Sequence, residues 1–349
     1  MRRTLALAVL AVLAACGPSI STPKNEGIST VPLAPASAPN VLAHAAIGFS
    51  VDTPQRAATA ASQGVTATFL YSGLPPRSSA LYAALTAHHI AMIDASISGY
   101  LDEWECYRIL TIKPPPKGYR WCYPGETGIK TVAQLLQKIK PVLERDARLG
   151  AAGFWILDDW PYWDSGSAHD VLPQIRSEIA EIDPGKPTIG GFAGTVGKLK
   201  GPVGWYPGTG KNYSNAGCDA VGWYNYSPFG KTRPSNGDDL DWSMSRLLPA
   251  IANTLEHLGW NEKTHPLIGI GQAWSGSYSG KYYQPGLSAE QMRTQAEGFC
   301  GFGASSISWY AWDDSGFESR TQTPNSSPVI SAGIAEGIAA CRQVWGSPK

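Results

Sequence analysis

Gly153-Phe154-Trp155-Ile156-Leu157-Asp158-Asp159-Trp160-Pro161-Tyr162-Trp163 is an apolar run that ends in two carboxylates followed by aromatics. Gly before it and Pro after it bound a segment of strand length, so it reads as a buried strand. Two adjacent acids are costly to bury without partners. At the C-terminal tip of a parallel strand, however, they sit where an α/β barrel keeps its chemistry. A solvated turn would also account for an Asp-Asp pair. The case for more rests on other strands of the chain, which end in the same way.

Working outward from this strand, strand-like and helix-like segments alternate. Residues 46–52, 65–71 and 90–96 read as strands one to three, separated by helices over 54–63 and 78–88. Residues 97–129 read as one long loop holding Trp104, Trp121, Asp102, Glu103, Glu105 and the prolines at 114–116. Ordered loops of that length tend to be functional. Residues 130–149 form the plainest helix, with Val132, Leu135, Leu136, Ile139, Val142 and Leu143 on one face. After the opening stretch comes a helix over 170–182, stopped by Asp183-Pro184-Gly185. Strand five follows over 187–192, then an irregular Gly-rich segment and strand six over 219–226. An amphipathic helix over 240–258 leads to strand seven at 266–274. The capping box Ser288-Ala289-Glu290-Gln291 opens the next helix. Strand eight spans 305–312, and a last helix runs over 328–344.

Eight such units predict a parallel sheet closed into a single (β/α)8 barrel, the α/β class known as the TIM barrel. An open doubly wound sheet would carry a Gly-rich phosphate turn after strand one, and Ser50-Val51-Asp52-Thr53-Pro54 is not one.

The strand tips then converge on one mouth. They contribute Asp52, Asp94, Asp158 and Asp159, then Tyr224 and Tyr226, Gln272 and Trp274, and Trp312, Asp313 and Asp314. In strand one, Gly48, Ser50 and Asp52 alternate with Ile47, Phe49 and Val51. The polar set is read as facing inward. Trp155 and Trp223, inside strands, are assigned to the core. Trp160, Trp163, Trp274 and Trp312, at strand ends, are assigned to the site. Several carboxylates ringed by aromatics are what glycosidic cleavage needs. One acid protonates the leaving oxygen, and a second carboxylate attacks the anomeric carbon or activates water. Crowded carboxylates hold their pKa values apart, so that one can stay protonated near neutral pH.

Residues 150–315 resemble barrel glycoside hydrolases at superfamily level. The resemblance is carried by Gly-Phe-Trp-Ile-Leu-Asp-Asp on strand four, by Pro266-Leu-Ile-Gly-Ile-Gly-Gln272, by Leu287-Ser-Ala-Glu-Gln-Met, and by the Trp309-Tyr-Ala-Trp312-Asp313 ending. It implies that the first Asp after the apolar pair points inward, making Asp158 the primary catalytic carboxylate with Asp159 beside it at the rim. The largest clan of such enzymes carries Glu at the tips of strands four and seven. Here those places hold Asp158 and Gln272, so that clan's residue roles do not carry over. The second carboxylate stays open among Asp52, Asp94, Asp313 and Asp314; Asp52 and Asp314 are counted as catalytic candidates. Asp94, Trp160, Tyr224, Tyr226, Gln272, Trp274, Trp312 and Asp313 are counted as substrate-binding candidates.

Residues 1–16 place two arginines before a short apolar run, the form of a secretory signal too short to span a membrane. Leu13-Ala14-Ala15-Cys16 resembles the bacterial lipobox, which implies lipidation of Cys16 and export to the cell envelope. Residues 17–43 are a Ser/Pro/Ala-rich tether, and 44–346 the barrel. Formal charge is zero with no basic cluster, which argues against nucleic acid. In an exported chain, Cys106 and Cys122 bracket one loop and form the favoured disulfide. Cys300 and Cys341, near the last two predicted helices, form a second candidate pair, leaving Cys218 buried and free. No Cys/His cluster indicates a metal, and no cofactor motif is present. The expectation is a monomeric, lipid-anchored glycoside hydrolase acting on carbohydrate. Two alternatives are kept: a glycan-binding lipoprotein that has lost catalysis, and a peptidoglycan hydrolase of the barrel-lysozyme type, suggested by Gly48-Phe49-Ser50-Val51-Asp52.

Overall fold

The structure is a computed structural model that describes residues 40–111, 128–158, 167–193, 215–224, 248–249, 253, 256, 259–278, 282–284, 286–312 and 322–346. Eight parallel strands close into a barrel: β1 (Ala46–Phe49), β2 (Ala67–Leu70), β3 (Ala91–Asp94), β4 (Gly153–Leu157), β5 (Thr188–Ala193), β6 (Ala220–Tyr224), β7 (Leu267–Gln272) and β10 (Ser306–Tyr310). The remaining strands, β8 (Gly276–Tyr278) and β9 (Tyr282–Gln284), form a two-stranded antiparallel hairpin after β7 that the sequence did not announce. Closure is made by β1, which pairs with β2 on one side and β10 on the other.

Around the barrel lie α1 (Pro54–Ser62), α2 (Ala80–Ala87), α3 (Ser96–Thr111), α4 (Val132–Leu149), α5 (Ser167–Ile182), α6 (Ala289–Phe302) and α7 (Pro328–Gly346). Leu248, Pro249, Asn253 and Glu256 are also helical, within the span read as the amphipathic helix. Helix α4 shows why the helical reading was secure. Thr131 caps its start by accepting the Gln134 N–H, and Gly150 ends it at φ 92°, a left-handed conformation that glycine adopts without strain. Leu135, Ile139 and Leu143 are buried on one stripe, each contributing roughly 1.5–3 kcal/mol. Asp146 occupies the next position of that stripe and is buried too. The capping box at Ser288 is formed in full at the start of α6.

Alternation along the strands separates two cores. Ile47, Phe49, Ala67, Phe69, Ile93, Trp155, Tyr224 and Ile270 fill the barrel interior. Ala46, Leu70, Met92, Phe154, Val221, Trp223, Ile307 and Trp309 pack under the helices. Trp155 and Trp223 are therefore both core residues, on opposite sides of the sheet. Interior space for the Trp155 indole comes from Gly191 and Gly222, where any Cβ would overlap the ring.

Two expectations are corrected. Residues 97–129 are not one long loop, because α3 follows β3 directly and is seated by Ile97, Leu101 and Trp104, all buried. Nor does the polar set of β1 face inward. Ile47 and Phe49 take the interior, and Gly48 lies against Trp312, whose ring stands 2.9 Å from where a Cβ would be. The regular alternation stops at Ser50, which has φ 58°.

Among the cysteines, Cys300 on α6 is bonded to Cys341 on α7, with Cα atoms 5.4 Å apart. Cys218 is free and buried, and burial pushes its thiol up to about 12. Cys106 falls within α3, while Cys16 and Cys122 lie outside the described residues. Among the described residues, no helix is long and apolar enough to cross a membrane.

Candidate active site

The interior narrows to an aromatic floor. Phe49 stands at its centre, 4.6 Å from Phe69, 5.4 Å from Trp155, 5.9 Å from Tyr224 and 5.4 Å from Tyr310, ring centroid to ring centroid. Its rings meet edge-on or tilted, as aromatic quadrupoles prefer. Small and β-branched residues at the strand starts and rings at the strand ends make the barrel interior a packed core.

Asp158 enters that mouth because β4 is irregular. With strict alternation, Trp155 and Leu157 would point inward and Asp158 outward. The register of β4 against β5 instead shifts between Trp155 and Leu157. Ile156 and Leu157 both pack outside, under the helices, and Asp158 turns inward. A bulge of this kind re-aims a side chain at the rim of a barrel.

Two tyrosines from other strand ends hold the carboxyl. The Tyr71 hydroxyl donates to Oδ2 at 2.7 Å, and the Tyr224 hydroxyl donates to Oδ1. Tyr71 follows β2 in the inward register of Ala67 and Phe69, and Tyr224 ends β6. Protein surrounds most of Asp158, but it keeps some solvent contact at the mouth. Desolvation raises its pKa above the ordinary aspartate range, and the Tyr224 and Tyr71 hydrogen bonds pull it back. The Trp155 indole N–H adds a weaker downward pull, outside ordinary hydrogen-bond geometry. Tyr71 in turn is raised well above the usual phenol value, first by burial and then by the Asp158 charge, so it stays a donor. Tyr71 and Tyr310 were missed in the sequence. The signal for Tyr71 was present, as the continuation of the Ala67–Phe69 alternation.

The other candidates are placed as follows. Asp52 sits just before the Thr53 cap of α1 and forms an ion pair with Arg56, its side chain 34% exposed. Asp94 faces the helix layer, fully buried, and Oδ1 accepts from Ser96 N at 2.8 Å and Ser96 Oγ at 2.7 Å. Its neighbour is Asp146, not Asp158. Burial and the Asp146 charge push Asp94 up to about 7. Gln272 is buried on the inner face of β7, with Nε2 donating to the Trp274 carbonyl at 2.7 Å. Trp274 is 8% exposed and Trp312 is 1% exposed under Gly48. Asp159, Trp160, Tyr226, Asp313 and Asp314 lie outside the described residues. Tyr71, Asp158 and Tyr224 are thus brought together, and Asp52 and Asp94 are held elsewhere. Among the described residues no group of three or more His, Cys, Asp or Glu could hold a metal ion.

Known proteins are similar to this chain in shape rather than in sequence. No family profile and no curated protein matches it. A glycoside hydrolase family 5 mannosidase from Rhizomucor miehei is matched with a TM-score of 0.55 at 9% identity, over 87% of this chain and 94% of that one. A β-galactosidase from the psychrophilic Marinomonas ef1 is matched with a TM-score of 0.55 at 11% identity, over 87% of this chain and 62% of that one. The endo-β-1,4-mannanase from Thermotoga petrophila follows with 0.50 and 11%, over 88% and 78%. At such identities the likeness concerns the fold. The barrel is one that glycoside hydrolases use.

Proposed function

We propose that this chain is a glycoside hydrolase that cleaves O-glycosidic bonds of an oligo- or polysaccharide at the barrel mouth, with Asp158 as the reacting carboxyl. The observation that carries the reading is Asp158 itself, aimed inward by a bulge and gripped on both oxygens by Tyr71 and Tyr224. Both bonds are donated to Asp158 and favour its carboxylate, but desolvation outweighs them and keeps its pKa above the ordinary aspartate range. Hydrogen bonds to a charged group contribute about 1.5–3 kcal/mol each. A carboxylate so fixed can attack an anomeric carbon or take a proton from water. The complementary acid is assigned to Asp159, Asp313 or Asp314, which follow β4 and β10 in sequence. Asp52 and Asp94 are occupied with Arg56 and with Ser96 and Asp146.

Export belongs to the same proposal, with a signal segment over 1–16, lipidation at Cys16 and an extracytoplasmic substrate. The Cys300–Cys341 disulfide supports an oxidising compartment. A second reading is kept for one reason. The tip of β7 carries the neutral Gln272, turned into a backbone hydrogen bond, which suits a barrel that binds glycans without cleaving them.

The test is turnover of a panel of p-nitrophenyl glycosides and neutral oligosaccharides by the purified protein. Asp158→Asn is expected to lose turnover by a factor on the order of 10²–10⁴ with its fold intact. Unchanged turnover in that variant overturns the assignment. Binding without product in the wild type selects the second reading.

A further inference from the structure

A side pocket of about 320 Å³ lies on the helix-layer side of Tyr71, the residue whose hydroxyl bonds Asp158. That volume is at the lower end of the roughly 300–1,000 Å³ typical of small-molecule sites. Tyr71 is the partition: its hydroxyl rests on Asp158, and the same residue lines the pocket. One wall is α3, with Ser96, Tyr100 and Glu103. The rest of the lining is Ser72 in the turn after β2, with Val142 and Arg145 on α4.

The lining offers matched polar groups. Arg145 binds Asp146 through Nε at 2.5 Å and Nη2 at 2.9 Å, which leaves Nη1 as a donor on a side chain 46% exposed. Glu103 accepts the Gly128 N–H through Oε1 at 2.7 Å, which leaves Oε2 as an acceptor. A cationic donor and an anionic acceptor in one small pocket suit neighbouring hydroxyls, and Tyr100 adds an aromatic group. Electrostatics select among sugars. Asp146 already answers the Arg145 charge, and Asp94 lies behind Ser96 at the floor. With Glu103 in the lining, the described surroundings carry no surplus positive charge to receive a carboxylated or sulfated unit.

We infer that this pocket is a second sugar subsite, which takes a neutral glycosyl unit next to the one at Asp158 and makes a chain, not a single glycoside, the preferred ligand. The inference deepens the glycoside hydrolase reading and rests on it for the position of the first sugar.

Gly99 provides the test. It lines the pocket, and a Cβ built on it meets nothing within 4 Å, so a side chain can be introduced there without a clash at its Cβ. Gly99→Trp also replaces a weak helix former within α3. Its fold is checked by circular dichroism and thermal unfolding. The measurement is calorimetric titration of Asp158→Asn, with and without Gly99→Trp. The probes are neutral gluco-, manno- and galacto-oligosaccharides of one to four units and oligogalacturonate. At least one neutral series is expected to bind more tightly as it lengthens from one unit to two. Gly99→Trp is expected to erase that gain, a loss of about tenfold or more, and oligogalacturonate to bind weakly. A folded Gly99→Trp protein that keeps the full gain overturns the inference. So does failure of every neutral series to bind, and so does tighter binding of oligogalacturonate. Wild-type turnover is followed with the same sugars. A Gly99-dependent gain without any product sustains the subsite and removes the hydrolase reading. Product formation insensitive to Gly99→Trp does the reverse.

Discussion

Asp158 shows how one side chain's direction can depend on a feature with no mark of its own in the sequence. Counting from Trp155 by twos sends Asp158 away from the barrel, and only the slip in register between β4 and β5 brings it in. The inward reading of this residue came from likeness to other barrels, not from its own alternation. Tyr224 was legible as a polar group at a strand end. Tyr71 was as legible by period, as the continuation of Ala67 and Phe69, but a single phenol after Leu70 carries no catalytic signature of its own. Its contribution can be measured. The Tyr71 and Tyr224 hydroxyls each lower the Asp158 pKa, so removing either lets desolvation raise it further. Tyr71→Phe and Tyr224→Phe keep the ring packing and delete one donor each. If Asp158 acts as its carboxylate, the acidic limb of kcat/KM against pH moves to higher pH in both variants. A limb that stays fixed would mean that another group titrates.

Among the elements, α3 is the one the sequence concealed. Ile97, Leu101 and Trp104 fall at helical spacing, but Gly99 and the acids at 102, 103 and 105 dilute the stripe, and the prolines at 114–116 suggest a loop. What seats the helix is long-range. Asp94, at the end of β3, accepts the N–H and hydroxyl of Ser96, giving the start of α3 partners it would otherwise lack. Asp146 on α4 meanwhile accepts the Leu74 N–H at 3.1 Å and both Arg145 bonds. The two carboxyls face each other, and Asp94 Oδ2 meets no donor. They are satisfied together when one proton lies between them, which joins α3 to α4 and to the turn after β2. This clamp has a pH signature. Asp94 is held at about 7, against roughly 3.9 for an unfolded aspartate. Between those values the folded chain binds the more protons, so stability falls as pH rises from about 4 to about 7 and levels off above. Asp94→Asn keeps an acceptor for Ser96 and turns a permanent N–H toward Asp146. The variant is expected to match the wild type in Tm near pH 5 and to exceed it near pH 8. Equal Tm differences at both pH values would exclude the shared proton.

At the scale of the whole molecule, the barrel was legible because it repeats. Eight strand periods, each bounded by turns or capped helices, leave few other ways to bury so many apolar faces. The seam is less obvious, since closure depends on β1 meeting β10 from the other end of the chain. The last third is built for close approach at that seam. Gly269 and Gly271 on β7 let α6 bring Phe299 and Gln295 against the strand, and Gly333 and Gly337 let α7 settle on Met292 and Trp309. Cys300 and Cys341 then tie these two helices across 41 residues of chain. A cross-link over that separation removes about 4 kcal/mol of unfolded-state entropy, on a scale where measured values range from about 0 to 5. A Cys300→Ser, Cys341→Ser double variant is therefore expected to unfold at a lower guanidinium concentration by that order of stability. With Cys106→Ser introduced into both proteins, so that no Cys106–Cys122 link is reduced alongside, reductant should lower the midpoint of the protein that keeps Cys300–Cys341 toward that of the double variant and leave the latter unmoved. Because β10 pairs with both β7 and β1, loosening α6 and α7 should weaken barrel closure itself, and the transition should remain a single step in far-UV ellipticity and tryptophan fluorescence alike. A midpoint indifferent to both the substitutions and the reductant would show that packing at the glycine contacts, not the covalent link, holds the seam.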